Sequence, residues 1–371
     1  MFERTDRVRL RSRVRVCALC RRMAASFLLL VLAGVSAAES QGPGLRPSVD
    51  PGIARYVPRA GTTGSLVIAG SETMQPIMLK LVSAFRLLQP EVKIAVQGGG
   101  TDAAVQGFLE NQSTIRRGDG GGGNLLGQEG TNRVFIMASS RELSAEETKH
   151  FIARHGHPPI AIPIAVDTVA LYVHRDNPIE GLTLDQVDAM FSIDRKRGAS
   201  ERLDRWGQMG LTDEWQSAEI RLYGRDRNSG TRAFFKEHVL LNGDFSASLQ
   251  EEPGHASLLL AVKRDKFGIG YAGIGFQSPS VRIVPLAEKT GMPFVRPTGK
   301  TASDKSYPLR RFLYLYLNSP PMTPLPAAVR EFLVFANSRE GQEAATKAGV
   351  YPLTAEQAHD NLGRMADHNA H

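Results

Sequence analysis

The chain is 371 residues long, enough for two domains that each bury a core. Its formal charge of +7 would suit an acidic partner, but residues 1–38 hold eight arginines against Glu3 and Asp6, which leaves +1 for residues 39–371. A nearly neutral body argues against a nucleic-acid binder, which carries its own basic face.

The basic start runs into AASFLLLVLAGV (24–35) and then into the small residues Ser36 and Ala38. That order predicts a signal peptide over residues 1–38, cleaved after Ala38. Its apolar core is too short for the roughly twenty residues of a membrane span. An uncleaved membrane anchor is the alternative. Both cysteines, Cys17 and Cys20, fall inside this leader, so the mature chain has no disulfide and no lipid-attachment cysteine. The expected location is the periplasm.

Residues 39–63 are rich in Gly, Pro and Ser and predict a flexible lead-in. SLVIAG (65–70) then reads as a strand, and Met74, Ile77, Met78, Leu81, Val82 and Phe85 recur at helical spacing until Gln89-Pro90. VKIAVQG (92–98) predicts a second strand entering a glycine-rich turn and helix, and VFIMAS (134–139) a third before the helix of SRELSAEETKHFIARH. This succession is that of a parallel α/β sheet, which binds ligands at the carboxyl ends of its strands. The segment 113–133, with GDGGGGN, lacks the Gly-Lys-Ser/Thr ending of a phosphate loop and reads as a surface insertion.

IAIPIAVDTVALYVHRDNP (160–178) is expected to cross into a second lobe, where GLTLDQVDAMF forms a helix capped by Thr183. IRLYGR (220–225) predicts a strand, followed by a helix to about Leu241. ASLLLAVKRDKFGIGYAGIGF (256–276) predicts a helix and a strand that crosses back. The last part supplies a strand in YPLRRFLYLYLN, then helices with Val329, Phe332, Leu333 and Ala336 on one face. The expected organisation is lobe 1 from 64–166 and 272–358, lobe 2 from 167–271, hinges near 165–170 and 271–276, and a frayed tail over 359–371.

GSET (70–73), GGGTD (98–102) and NSGT (228–231) each precede a predicted helix. Helix N-termini present free N–H groups and a partial positive charge. Three of them converging with the guanidinium of Arg225 would cage a tetrahedral oxyanion, the arginine offering a fork for two oxygens. Taken singly, Ser71, Thr101 and Ser229 also suit ordinary helix caps, and the glycines ordinary turns.

GSETMQPIMLKLVSAF, QGGGTDAAVQGF, ASSREL, YGRDRNSGTRAFFKE, IGYAGIGF, YPLRRFLYLYLN and FANSREGQEAATKAGVYPL together resemble, in order and spacing, the phosphate-binding proteins of bacterial phosphate ABC transporters. The resemblance covers residues 65–353. It implies an α/β, two-lobed periplasmic-binding-protein (type II) clamshell with two hinge crossings, binding inorganic phosphate between the lobes and delivering it to an inner-membrane ABC permease with its ATPase. A monomer is expected, with no cofactor and no metal. The implied binding residues are Ser71, Glu72 and Thr73 in the first turn, Gly100 and Thr101 in the second, Ser139 and Ser140 in the third, and Arg225, Ser229, Gly230 and Thr231 in the last. Two departures stand out. Ser140 occupies the place where many relatives carry a proton-accepting acid, while Glu72 brings an acid to the first turn, so the acceptor of the phosphate proton is expected to have moved there. The other reading of Glu72 is a side chain that points outward or bridges to an arginine such as Arg225. Arg227 replaces an acid found in some relatives.

Two alternatives share these residues: a secreted phosphohydrolase using Ser71 or Ser229, and a phosphate sensor or scavenger without a transporter. Hydrolysis needs an activating base or metal. His150, His155 and His157 cluster at a helix end and read as surface residues.

Overall fold

A computed structural model describes residues 47–110, 134–276 and 278–366. The predicted leader, Cys17 and Cys20, the glycine-rich run of the insertion, and all of the ADHNAH tail beyond Ala366 lie outside the described residues.

The chain opens with β1 (Gly64–Gly70), α1 (Gln75–Leu88), β2 (Val92–Gln97), α2 (Thr101–Leu109), β3 (Val134–Ser139) and α3 (Ala145–His155). β1 pairs in parallel with both β2 and β3, so the carboxyl ends of all three strands and the helix starts behind them point the same way. α1 buries Ile77, Met78, Leu81, Val82 and Phe85 on one stripe and stops before Pro90, which disfavours helix in the residue preceding it. α3 is closed by a reciprocal capping box between Ser144 and Glu147.

β4 (Ile160–His174) is one unbroken strand of 15 residues. Through Thr168 it pairs with β11, and from Val169 onward with β8. The expected crossing is therefore a continuous strand that changes lobes at residues 168–169. Lobe 2 continues with β5 (Leu182–Thr183), α4 (Leu184–Phe191), β6 (Arg221–Arg225), α5 (Gly230–His238), β7 (Gln250–Glu252), α6 (His255–Arg264), β8 (Gly268–Gly273), β9 (Val281–Val284), β10 (Leu286–Ala287) and α7 (Gly299–Ser303). α5 stops before the expected Leu241, because Leu241 and Asn242 take left-handed φ values of 47° and 60°.

The return crossing is not at 271–276. β9 pairs with the second half of β4, β10 pairs with β5, and Tyr307 and Leu309 are buried in the same core as Trp206 and Phe235. The chain re-enters lobe 1 only at β11 (Arg310–Leu317), antiparallel to β3 and to the first half of β4. It ends with α8 (Ala327–Ala336), α9 (Arg339–Thr346) and α10 (Ala355–Ala366). Among the described residues nine strands join into one sheet ordered β2-β1-β3-β11-β4-β8-β6-β7, with β9 also on β4, and β5 and β10 form a separate two-stranded sheet.

Both supposed loose ends are anchored. In the lead-in, Ile53 and Tyr56 are buried, and the Tyr56 ring meets Phe335 edge-on at 5.3 Å while its hydroxyl donates to Glu331 Oε2 at 2.9 Å. At the other end, α10 extends through Ala366 and buries Ala358, Asn361 and Met365, with Asn361 Nδ2 donating to the carbonyl of Pro163. The helical spacing of those three residues ties residues 359–366 to lobe 1 instead of leaving them frayed.

Candidate functional site

The lobes meet where the turns after β1, β2 and β3 face the turn between β6 and α5. Asp102 N–H donates to the Asn228 carbonyl at 3.3 Å, and Thr73 Oγ1 lies 3.1 Å from Thr231 Oγ1. Two glycines permit this approach. A Cβ on Gly230 would stand 2.5 Å from Thr101 Oγ1 and 2.6 Å from Ser140 Oγ; one on Gly100 would stand 2.5 Å from the Asn228 carbonyl oxygen, at a φ of +93° that favours glycine in any case. Thr101 Oγ1 and Ser140 Oγ are themselves 3.2 Å apart. Four segments distant in sequence thus share one small volume.

Each expected residue takes a distinct part. Ser71, Thr73, Thr101, Ser139, Ser140, Ser229 and Thr231 are all buried. The N–H of Ser71 is spent on the Ala138 carbonyl at 2.8 Å, and that of Gly100 on the Gly70 carbonyl at 3.0 Å, so these two amides shape the turns. Ser229 Oγ caps α5, accepting from the N–H groups of Thr231 and Arg232 at 3.2 and 3.4 Å, and keeps its own proton to donate. The Ser139 hydroxyl donates to the Arg141 carbonyl at 2.6 Å, which closes the third turn and leaves Ser140 as the hydroxyl that reaches Thr101.

Arg225 is only 2% exposed. Its Nε donates to the Glu252 carbonyl at 3.4 Å, and its Nη2 to the Pro253 carbonyl at 2.9 Å and to Glu72 Oε2 at 3.2 Å. Nη1 is buried without a partner among the described residues. The fork expected to take two oxygens is therefore mostly held by its own lobe and by Glu72. Burial lowers the Arg225 pKa from its ordinary value, against the opposing charges of Glu72 and Asp226. Arg227 is exposed.

Three residues of the site escaped the sequence reading. Arg311 on β11 is buried and donates through Nε and Nη2 to Asp167 Oδ2 on β4 at 3.0 and 2.8 Å, and Nη2 also reaches Thr231 Oγ1 at 2.9 Å. The pair joins the two strands next to the points where they change lobes. His255, the first residue of α6, is buried with Nε2 2.7 Å from Thr73 Oγ1. A signal for Asp167 was present: a lone carboxylate inside the apolar run of β4 has to find a buried cation. Nothing local marks His255.

His150, His155 and His157 lie elsewhere. His155 and His157 pack against Phe151, with ring centroids 4.3 and 5.8 Å away, and His157 is buried, so these two serve the lobe 1 core instead of the surface. His150 is exposed. Among the described residues no cluster of His, Cys, Asp or Glu is suited to a metal ion, and no helix is long and apolar enough to cross a membrane.

Residues 57–340 match the family described as a PBP superfamily domain. The chain belongs to that superfamily. It is 37% identical over 331 residues to the phosphate-binding protein PstS of Pseudomonas aeruginosa, covering 89% of this chain and 94% of that protein. Among solved structures it is similar to a phosphate ABC transporter substrate-binding protein of Clostridium perfringens with bound phosphate, at 23% identity and a TM-score of 0.60, covering 78% of this chain and 100% of that one. It is also similar to an ABC-type phosphate transport receptor of Vibrio cholerae, at 20% identity and a TM-score of 0.57, again covering 78% and 100%. The two-lobed type II periplasmic-binding-protein fold expected from the sequence is the one observed.

Proposed function

We propose that this PBP-superfamily chain is a binding protein, not an enzyme, that captures inorganic phosphate between its lobes in the periplasm and delivers it as a monomer to an inner-membrane ABC permease with its ATPase. The observation that carries the reading is the convergence of Thr73, Thr101, Ser140, Gly230 and Thr231, with the Arg225 guanidinium tied to the first turn through Glu72 at 3.2 Å. Hydroxyls, helix N-termini and a guanidinium surround a small tetrahedral anion with donors without requiring a basic surface. The Pseudomonas aeruginosa relative, named a phosphate-binding protein, supports phosphate as that anion. Hydrolysis is disfavoured: Ser229 is engaged in capping α5, and the imidazole of His255 meets Thr73, not Ser71 or Ser229. Calorimetric titration with phosphate, arsenate and sulfate at two pH values tests the assignment; the expected result is one-to-one phosphate binding without turnover of an aryl phosphate.

Glu72 both bridges to Arg225 and accepts the proton of a hydrogen phosphate, a proton that sulfate does not have. Its side chain keeps 24% exposure at the mouth of the site, so it adjusts more readily than a fully packed carboxylate. Glu72→Gln is expected to narrow the preference for phosphate over sulfate at least tenfold in competition titrations; an unchanged preference removes the role.

A further inference from the structure

This inference rests on reading the cleft as an oxyanion site. Across the lobe junction the hydroxyls of Thr73 and Thr231 are 3.1 Å apart, and each is met from behind by a nitrogen. Arg311 Nη2 donates to Thr231 Oγ1 at 2.9 Å, and a guanidinium only donates. His255 Nε2 lies 2.7 Å from Thr73 Oγ1, and its role depends on which ring nitrogen carries the proton. The other nitrogen, Nδ1, faces the N–H of Gly273 at 3.4 Å. Only a lone pair can answer an N–H, so Nδ1 accepts, and Nε2 bears the proton and donates to Thr73. Phe276 stacks on the ring, with centroids 4.5 Å apart and planes 23° apart, and holds that orientation. Burial first, and then the Arg225 and Arg311 charges, push the imidazole pKa well below its ordinary value, so the ring is neutral. The nearby carboxylates, Glu72 and Asp167, are engaged by those same two arginines.

Two hydroxyls carry two protons. Their contact with each other uses at most one, and neither proton can be handed back to Arg311 or to a protonated Nε2. At least one O–H must therefore point into the cleft. We propose that His255 and Arg311 are positioning residues that lock the Thr73–Thr231 pair as a donor, so that this corner of the site accepts only an unprotonated ligand oxygen and turns the hydroxyl of a hydrogen phosphate toward Glu72. Without the His255 N–H, the lone pair of Thr73 Oγ1 that it held is released, so the hydroxyl can rotate, its proton is no longer fixed toward the cleft, and its hydrogen bond to the ligand is weakened.

The test is a double-mutant cycle read by phosphate calorimetry on the full mature chain. His255→Phe keeps a flat ring against Phe276 but removes both nitrogens. It is expected to weaken phosphate binding about tenfold with Thr73 intact, the loss of one hydrogen bond to a charged group. In a Thr73→Val background the same change is expected to cost less than about twofold, because the donor acts only through that hydroxyl. His255→Gln, which restores an N–H, is expected to recover part of the loss. Equal losses in both backgrounds, or none with Thr73 present, overturn the proposal. Long-range proton–nitrogen NMR of the unmutated protein supplies a second readout that needs neither a variant nor phosphate: the neutral Nε2–H tautomer is expected between pH 6 and 8, and an Nδ1–H or charged ring overturns the proposal. Failure of the unmutated protein to bind phosphate counts instead against the proposed function, and the two failures are thereby distinguished.

Discussion

The cleft end of β6 and the crossing end of β11 each bury a guanidinium, and they do so in opposite ways. Arg311 is held by Asp167, whose side chain is 1% exposed, between two central strands; Arg225 is held by two backbone carbonyls and by Glu72, whose side chain keeps 24% exposure. The first pair is almost wholly enclosed, although Arg311 Nη1, like Arg225 Nη1, is buried without a partner among the described residues. The second draws its carboxylate from the turn after β1, in the opposite lobe, and that carboxylate is partly exposed. Similar burial therefore serves different ends, since the partner decides whether a buried cation is a fixed part of the frame or a group that responds to an anion. Burial first, and then both of these charges, hold the His255 imidazole well below its ordinary pKa.

The largest effect that would sharpen this contrast is on stability. Asp167→Asn leaves Arg311 charged and unpaired in the interior, and unfolding by urea is expected to show a loss of about 3–5 kcal/mol. If the loss is no larger than for an ordinary surface change, Arg311 is not part of the frame. Next comes Arg225→Ala, which is expected to lower phosphate affinity by about a hundredfold in calorimetry, the upper range for a charge-assisted bond, while costing less stability than Asp167→Asn. A reversed order of the two stability losses breaks the comparison. The smallest effect is on pH dependence. The folded-state pKa of His255 is depressed, so below pH 6.5 the unfolded chain takes up a proton that the folded chain refuses, and stability falls as pH drops. Between pH 7 and 5.5 this is about 1 kcal/mol for one such histidine, and the drop is expected to shrink by that amount in His255→Gln when denaturant midpoints are compared.

The α/β class, the three strand-turn-helix units of lobe 1 and the α4 cap at Thr183 were legible in the sequence, because local period and capping chemistry are carried by residues a few positions apart. The turns that meet at the cleft were legible for the same reason. The position of the return crossing was not. The glycine-rich β8 reads like a strand leaving its lobe, and only its pairing beside β4 shows that it stays. Nor did composition distinguish a lead-in that wanders from one whose Tyr56 is buried against Phe335.

Short-range geometry alone supplies the set of donors: small residues and hydroxyls at helix starts, and an arginine at a strand end. Which of those donors are spent on the protein and which stay open is set by contacts between segments far apart in the chain. Arg225 gives two of its nitrogens to carbonyls and Glu72, Ser139 gives its proton to the Arg141 carbonyl, and Thr73 is met by a histidine 182 residues away. The reason is physical. A hydrogen bond is satisfied by whichever partner the packing brings within about 3 Å, and in the interior that choice belongs to the whole fold, not to the neighbours in the chain.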